Sequence, residues 1–223
     1  MGMRPVQLVE GEFYHVYNRG TDKRTLFRDD TDRQRFMKLL YISNTAEHIN
    51  VRNLLRKNNE PYIFERGAPL VSIGAYCLMP NHFHMLLTPI VKDGVSLFMK
   101  KLCTGYSMYF NKRYNRTGTL LEGPFKAKWV DNDIYLKYLY AYIHLNPLKL
   151  WKREDLDQEI NDQDILEFLK SYAYSSLPDY LEVSRLENSI FDPKPFPEYF
   201  ESVADQVAEL KEWLLLREEE DML

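Results

Sequence analysis

Val71-Ser-Ile-Gly-Ala-Tyr-Cys-Leu78, Met79-Pro-Asn81 and His82-Phe-His-Met-Leu-Leu-Thr88 run on without a break, and their reading decides the fold. The outer pieces are apolar, β-branched and aromatic, which is the composition of sheet strands. Pro-Asn between them is turn chemistry, so the stretch predicts a hairpin. Side chains at i and i+2 share one face of a strand. Phe83 therefore turns inward while His82 and His84 stand side by side on the other face.

Upstream, Phe13-Tyr-His-Val-Tyr-Asn18 runs into Arg19-Gly20 and reads as a strand ending in a turn. From Asp30 to about His48, Phe36, Leu39, Leu40 and Ile42 fall at helical spacing. Residues 51–68 are polar and irregular, a connection or a short extra element. Downstream, Gly94 to about Arg113 predicts a long helix with Leu97, Phe98, Leu102, Tyr106, Tyr109 and Phe110 on one stripe, broken by Asn115-Arg-Thr-Gly118. Pro124-Phe-Lys-Ala-Lys-Trp-Val130 alternates with period two and places Lys126 and Lys128 on one face of a fourth strand. Asp131-Asn-Asp133 supplies capping chemistry for a helix from Ile134 to about Leu145, stopped by Pro147.

Strand, helix, strand, strand, helix, strand, with one more helix behind, is the order of a ferredoxin-like α+β fold: an antiparallel sheet with two helices on one face. Residues 1–153 fill it. Residues 154–223 read as an acidic helical extension. It holds a helix over Glu154–Lys170, a stiff linker over Asp192–Pro197, and a helix over 198–217 with Val203, Val207, Leu210 and Leu214 in register.

Charge follows the same division. The net −4 of the 223 residues conceals +3 over 1–99, +8 over 100–153 and −15 over 154–223. Clustered Lys and Arg attract phosphate locally, so the middle segment is the relevant one. Its cations are also what a solvated helix face would carry. Hydrophobic residues make up 45% of the chain, enough for a packed core, which argues against wholesale disorder. No apolar run reaches the length of a membrane span, and the first residues lack a signal-peptide pattern. Cys77 and Cys103 form no spaced set for disulfides or zinc. The expectation is a reduced cytoplasmic protein.

Two imidazoles on a rigid strand make half of a divalent-metal site. Taken alone they are equally two polar side chains on a solvated face. His15 is either a third ligand or a hydrogen-bonded partner, and His48 and His144 have no companions at metal-binding spacing. The last helix is crowded with Tyr135, Tyr138, Tyr140 and Tyr142, and spacing of four puts Tyr138, Tyr142 and Asn146 on one side. Asn146 could offer its carbonyl oxygen to a hard cation, and Tyr142, one turn back, could reach a phosphate held there. A phenol with a pKa near 10 is a poor nucleophile at neutral pH. A divalent ion on the non-bridging oxygens reduces the repulsion and aligns the group for in-line attack. Tyr142 as a core aromatic and Tyr138 as the nucleophile both remain open on geometry. Tyr106 and Tyr109 are stacking platforms or core.

Met79-Pro-Asn-His82-Phe-His84-Met-Leu-Leu87 resembles the histidine–hydrophobe–histidine metal motif of the single-tyrosine transposases of insertion sequences, with the REP-associated branch nearest. Tyr14-His-Val-Tyr-Asn-Arg-Gly20, Thr117-Gly-Thr-Leu-Leu-Glu-Gly-Pro-Phe125 and Tyr142-Ile-His-Leu-Asn-Pro147 resemble the same family, in the same order. The resemblance implies a ferredoxin-like core and Mg²⁺ or Mn²⁺ held by His82, His84 and Asn146. It implies Tyr142 as nucleophile, because the family's tyrosine stands four residues before its amide ligand. It further implies a 5′-phosphotyrosine intermediate and single-stranded DNA with hairpin structure as substrate, handled by dimers that exchange tyrosine helices or by monomers. Lys100, Lys101, Lys112, Arg113, Arg116, Lys126 and Lys128 would be the surface for the DNA backbone. The acidic C-terminus departs from the family. It motivates a second reading, a DNA-binding or regulatory protein with reduced or no catalysis, and a third is a metal-dependent phosphoesterase on small substrates.

Overall fold

A computed structural model describes residues 7–57, 60–151 and 162–199, together with 202, 204, 205, 207–210, 212 and 213. Four strands form one antiparallel sheet in the order β2-β3-β1-β4: β1 (Tyr14–Arg19), β2 (Val71–Met79), β3 (His82–Pro89) and β4 (Lys126–Trp129). This is the ferredoxin-like order expected from the sequence. Helices α1 (Asp30–Ile42) and α3 (Gly94–Arg113) cover one face. Between them lies a short helix, α2 (Val51–Lys57). Helix α4 (Asp133–Leu145) covers the opposite face. Helices α5 (Asp162–Ser171) and α6 (Leu177–Tyr180) follow it.

Alternation along the strands builds the two layers. Tyr14, Val16, Phe83, Met85 and Leu87 point to the α1/α3 side, where Phe36, Leu39, Leu40, Phe98, Leu102, Tyr106 and Phe110 complete the larger core. Ala75, Cys77, Met79 and Leu86 point the other way, against Leu136, Leu139, Tyr140 and Ile143 of α4. The caps are local chemistry: Asp29 accepts from the Asp32 N–H at the start of α1, and Asn132 accepts from Tyr135 N–H at the start of α4.

Several boundaries differ from the sequence reading. Helix α1 ends at Ile42, not near His48, because Asn44 turns its side chain onto the backbone of Leu70 and Val71. On α3, Leu97 is exposed and leaves the apolar stripe. The stretch Asp192–Pro197 is not a free linker. Asp192 accepts a hydrogen bond from Ser72 Oγ at 2.5 Å and donates its N–H to the Ile73 carbonyl, and Phe196 is buried on Gly74. The described part of the acidic helix begins at Asp162, and residues 154–161 lie outside the described residues, as do Val203 and Leu214. Leu210 is buried and Val207 packs beside it against α4. Among the described residues, no helix is long and apolar enough to cross a membrane.

Candidate active site

Antiparallel register brings β1 and β3 together with Tyr17 opposite His84, Arg19 opposite His82, and His15 opposite Leu86. His15, Tyr17, His82 and His84 thus share the face on which α4 lies. The rings of His82 and His84 stand 5.0 Å apart, nearly perpendicular. His15 reaches diagonally to His84, its Nε2 2.9 Å from His84 Nδ1. Tyr17 fills the remaining corner, 4.8 Å from the His15 ring and 5.8 Å from that of His84. Asn81, on the hairpin turn, accepts from His82 Nδ1 at 2.6 Å.

Helix α4 lays Tyr142 over this cluster. Its half-buried ring is edge-on to His84 at 5.3 Å and to His15 at 6.0 Å. Tyr138 is one turn further out, 39% exposed, 5.9 Å from Tyr142 and 5.2 Å from Trp213. Asn146 opens the 3-10 turn Asn146–Leu150, where Pro147 ends the helix. The buried Asn146 amide donates through Nδ2 to the Tyr142 carbonyl at 2.7 Å, and its Oδ1 accepts from Lys149 Nζ at 3.2 Å. The contact between these two residues thus runs from the Asn146 side chain to the Tyr142 backbone.

The site favours neutral imidazoles. Burial, with the neighbouring charges of His15, His82 and Lys149, pulls His84 down to about 2. Burial and Lys128 pull His15 down to about 4, and burial, Lys149 and Arg19 lower His82. Each ring therefore keeps a lone pair at neutral pH. Asn81 Oδ1 can only accept, so His82 carries its proton on Nδ1 and its lone pair on Nε2. His84 has the same arrangement when its Nδ1–H donates to His15. Two neutral imidazoles and an amide oxygen are a donor set that suits a divalent ion once Asn146 Oδ1 is released by the Lys149 ammonium. Among the described residues no group of three or more His, Cys, Asp or Glu side chains is placed to hold a metal.

The basic residues separate into two groups. Lys126 and Lys128 pair with Tyr17 and His15 across β1–β4 and so flank the histidines, with Lys128 Nζ 4.2 Å above the Tyr135 ring. The others lie across the sheet. Lys100, Lys101, Lys112 and Arg113 line a cleft of about 1130 Å³ between α3 and residues 43–52. Lys101 donates to the Thr45 and Glu47 carbonyls, Arg113 pairs with Asp29 and Asp32, and Arg116 donates to Asn111. Tyr106 is core, its hydroxyl donating to the Leu26 carbonyl, and Tyr109 donates to Asp32. His144 is buried against Ser176 Oγ at 2.9 Å, away from the other histidines.

Residues 66–146 match the family model of the IS200-like transposases. That span contains the hairpin, α3, β4 and Tyr142. Among solved structures, the REP-associated tyrosine transposase bound to a REP hairpin is similar, with a TM-score of 0.51 at 12% identity over 84% of this chain and 90% of that one. At that identity the likeness is one of fold. No curated protein matches. The sequence match and the fold are consistent with a single-tyrosine transposase family.

Tyr17, Asn81 and Lys149 were not singled out from the sequence. Tyr17 carried a usable signal, since it stands two residues from His15 and must share its face.

Proposed function

We propose that this chain cleaves and rejoins single-stranded DNA at hairpin-bearing sites, with Tyr142 as nucleophile and His82, His84 and Asn146 as holders of Mg²⁺ or Mn²⁺. The observation that carries the reading is the Tyr142 ring edge-on to His84, one turn before the buried Asn146 amide. Bound there, the ion would neutralise the non-bridging oxygens of the phosphodiester and orient it for in-line attack. The chain does the rest. His15 and Asn81 orient the two imidazoles, and α4 presents the phenol. Tyr142 Oη loses its proton and bonds to phosphorus as the P–O3′ bond breaks, leaving a 3′-hydroxyl and a 5′-phosphotyrosine. Attack by a 3′-hydroxyl on that phosphorus reverses the step, rejoins the strand and frees the tyrosine.

The match to IS200-like transposases supports this class of DNA processing, and the similar structure holds a hairpin, which supports hairpin DNA as the partner. The unpaired strand would pass Lys126 and Lys128, beside the Tyr135 ring of α4. Lys100 and Lys112, across the sheet, are placed for a more distant part of the DNA.

The test is a covalent adduct. Incubating the full chain with Mg²⁺ or Mn²⁺ and a pool of single-stranded hairpins should yield a protein–DNA species that survives denaturation. Tyr142→Phe should abolish it and Tyr138→Phe should retain it. The reverse pattern would sink the assignment. A regulatory protein derived from such an enzyme is the second reading, motivated by the −15 charge of residues 154–223 beside the +8 of residues 100–153. Tight hairpin binding without any adduct would identify it.

A further inference from the structure

Lys149 takes no part in the reading above, yet its side chain belongs to the site. It lies on the turn behind Asn146 and folds back toward the histidine face. Its Nζ is 3.2 Å from Asn146 Oδ1 and 5.6 Å from the centre of the Tyr142 ring. Its charge also acts on both His82 and His84. A lysine just past a helix end can serve the terminal carbonyls. Here Nζ reaches a side-chain amide and the face of the tyrosine that carries the proposed chemistry.

The surroundings say what this ammonium is suited to meet. Asn146 is a neutral, buried amide, the imidazoles are held neutral, and Lys126 and Lys128 flank the same face. The cluster is cationic around a phenol and wants an anion. An ammonium carries three donors on a flexible stem, so it can transfer one to an incoming oxygen by rotating a few bonds. We propose that Lys149 binds a non-bridging oxygen of the scissile phosphate, leaving Asn146 Oδ1 as the DNA enters and so releasing that oxygen for a cation. The inference rests on the strand-cleavage reading. It adds a phosphate-binding residue to the two histidines, the amide and the tyrosine.

The experiment compares Lys149→Met and Lys149→Arg with the parent chain, using hairpin oligonucleotides with randomised unpaired arms. Sequences recovered from adducts are remade with a single uncharged methylphosphonate at the scissile position. Lys149→Met should slow adduct formation roughly 10- to 100-fold, the loss of one charge-assisted hydrogen bond. Lys149→Arg should restore most of the rate. In a Tyr142→Phe background, Lys149→Met should weaken binding of the phosphate oligonucleotide and leave binding of the methylphosphonate form unchanged. Equal losses on both oligonucleotides, or a parent-like rate for Lys149→Met, would overturn the proposal. A thermal midpoint measured on each variant separates misfolding from loss of contact, and a Met variant that unfolds while Arg rescues neither rate nor binding also counts against it. If the parent makes no adduct, the cleavage reading fails on its own. Oligonucleotides selected for binding and scanned with methylphosphonate at each position then still report on Lys149. One position must cost the parent affinity and cost Lys149→Met none, and a scan without such a position refutes the contact.

Discussion

The bond between His15 Nε2 and His84 Nδ1 constrains what His84 can offer a ligand. With the proton on His84 Nδ1, the Nε2 lone pair is available; with the opposite tautomer it is not. Orienting partners of this kind typically contribute 10- to 100-fold in metal affinity. His15→Phe keeps the ring packing against Tyr17 and removes the acceptor, so Mn²⁺ binding to Tyr142→Phe protein should weaken by about that factor in calorimetry. Undiminished affinity would reduce His15 to a packing residue. The candidate site was legible in the sequence where periodicity speaks: His82 and His84 by the two-residue repeat of a strand, and Tyr138, Tyr142 and Asn146 by the four-residue repeat of a helix, with Tyr142 preferred to Tyr138 only through the family resemblance. Tyr17 meets His84 only through strand register, Asn81 sits on a turn, and Lys149 lies within the 3-10 turn Asn146–Leu150. No repeat sets the direction of those last two.

At the level of elements, β4 and α3 show why counting cations misleads. Both look basic in sequence, and only β4 lies on the histidine face. Two of the cations on α3 are engaged by their own fold. Lys101 closes the end of the loop after α1, and Arg113 neutralises Asp32, a fully buried carboxylate that also accepts from Tyr109, Tyr114 and the Arg28 N–H. Removal of Lys126 or Lys128 should therefore weaken binding across all hairpin sequences and reduce the slope of log affinity against log salt by about 1 for each lysine. Arg113→Ala should leave that slope nearly unchanged and lower the thermal midpoint by roughly a few degrees instead. Salt titrations of hairpin binding by anisotropy, with melting curves on the same samples, check both. A salt slope that fell equally in all three variants would mean that the DNA also wraps the α3 side. The four strands and helices α3 and α4 follow from local composition, apolar spacing and turn or capping residues. The early end of α1 does not, because it is fixed by Asn44 bonding to Leu70 and Val71, far along the chain.

Over the whole molecule, residues 162–199 are built into the sheet they follow. Ser175 forms a bridge with Cys77 at the open edge of β2, and Tyr174 and Ser176 exchange backbone hydrogen bonds with Leu78 and Tyr76. A Cβ on Gly74 would stand 2.8 Å from the Phe196 ring, so glycine there is what admits that ring. This junction encloses His144, between α4 and Ser176. Burial holds its pKa down to about 3, against 6.5 when unperturbed. Below about pH 6.5 the unfolded chain takes up a proton that the folded chain refuses until near 3, so the stability is fully present above 6.5 and is lost as pH falls through that window. The slope contributed by one such histidine is at most about 1.4 kcal/mol per pH unit. His15 and His84 act in the same direction. The thermal midpoint should therefore fall as the pH is lowered from about 7 to about 5, and fall less steeply in His144→Asn, which has no proton to gain there. Parallel pH curves for the two proteins would show that His144 is solvated. The packing of residues 162–199 against α4 would then be looser than its hydrogen bonds indicate, and the helix that carries Tyr142 would be less firmly seated.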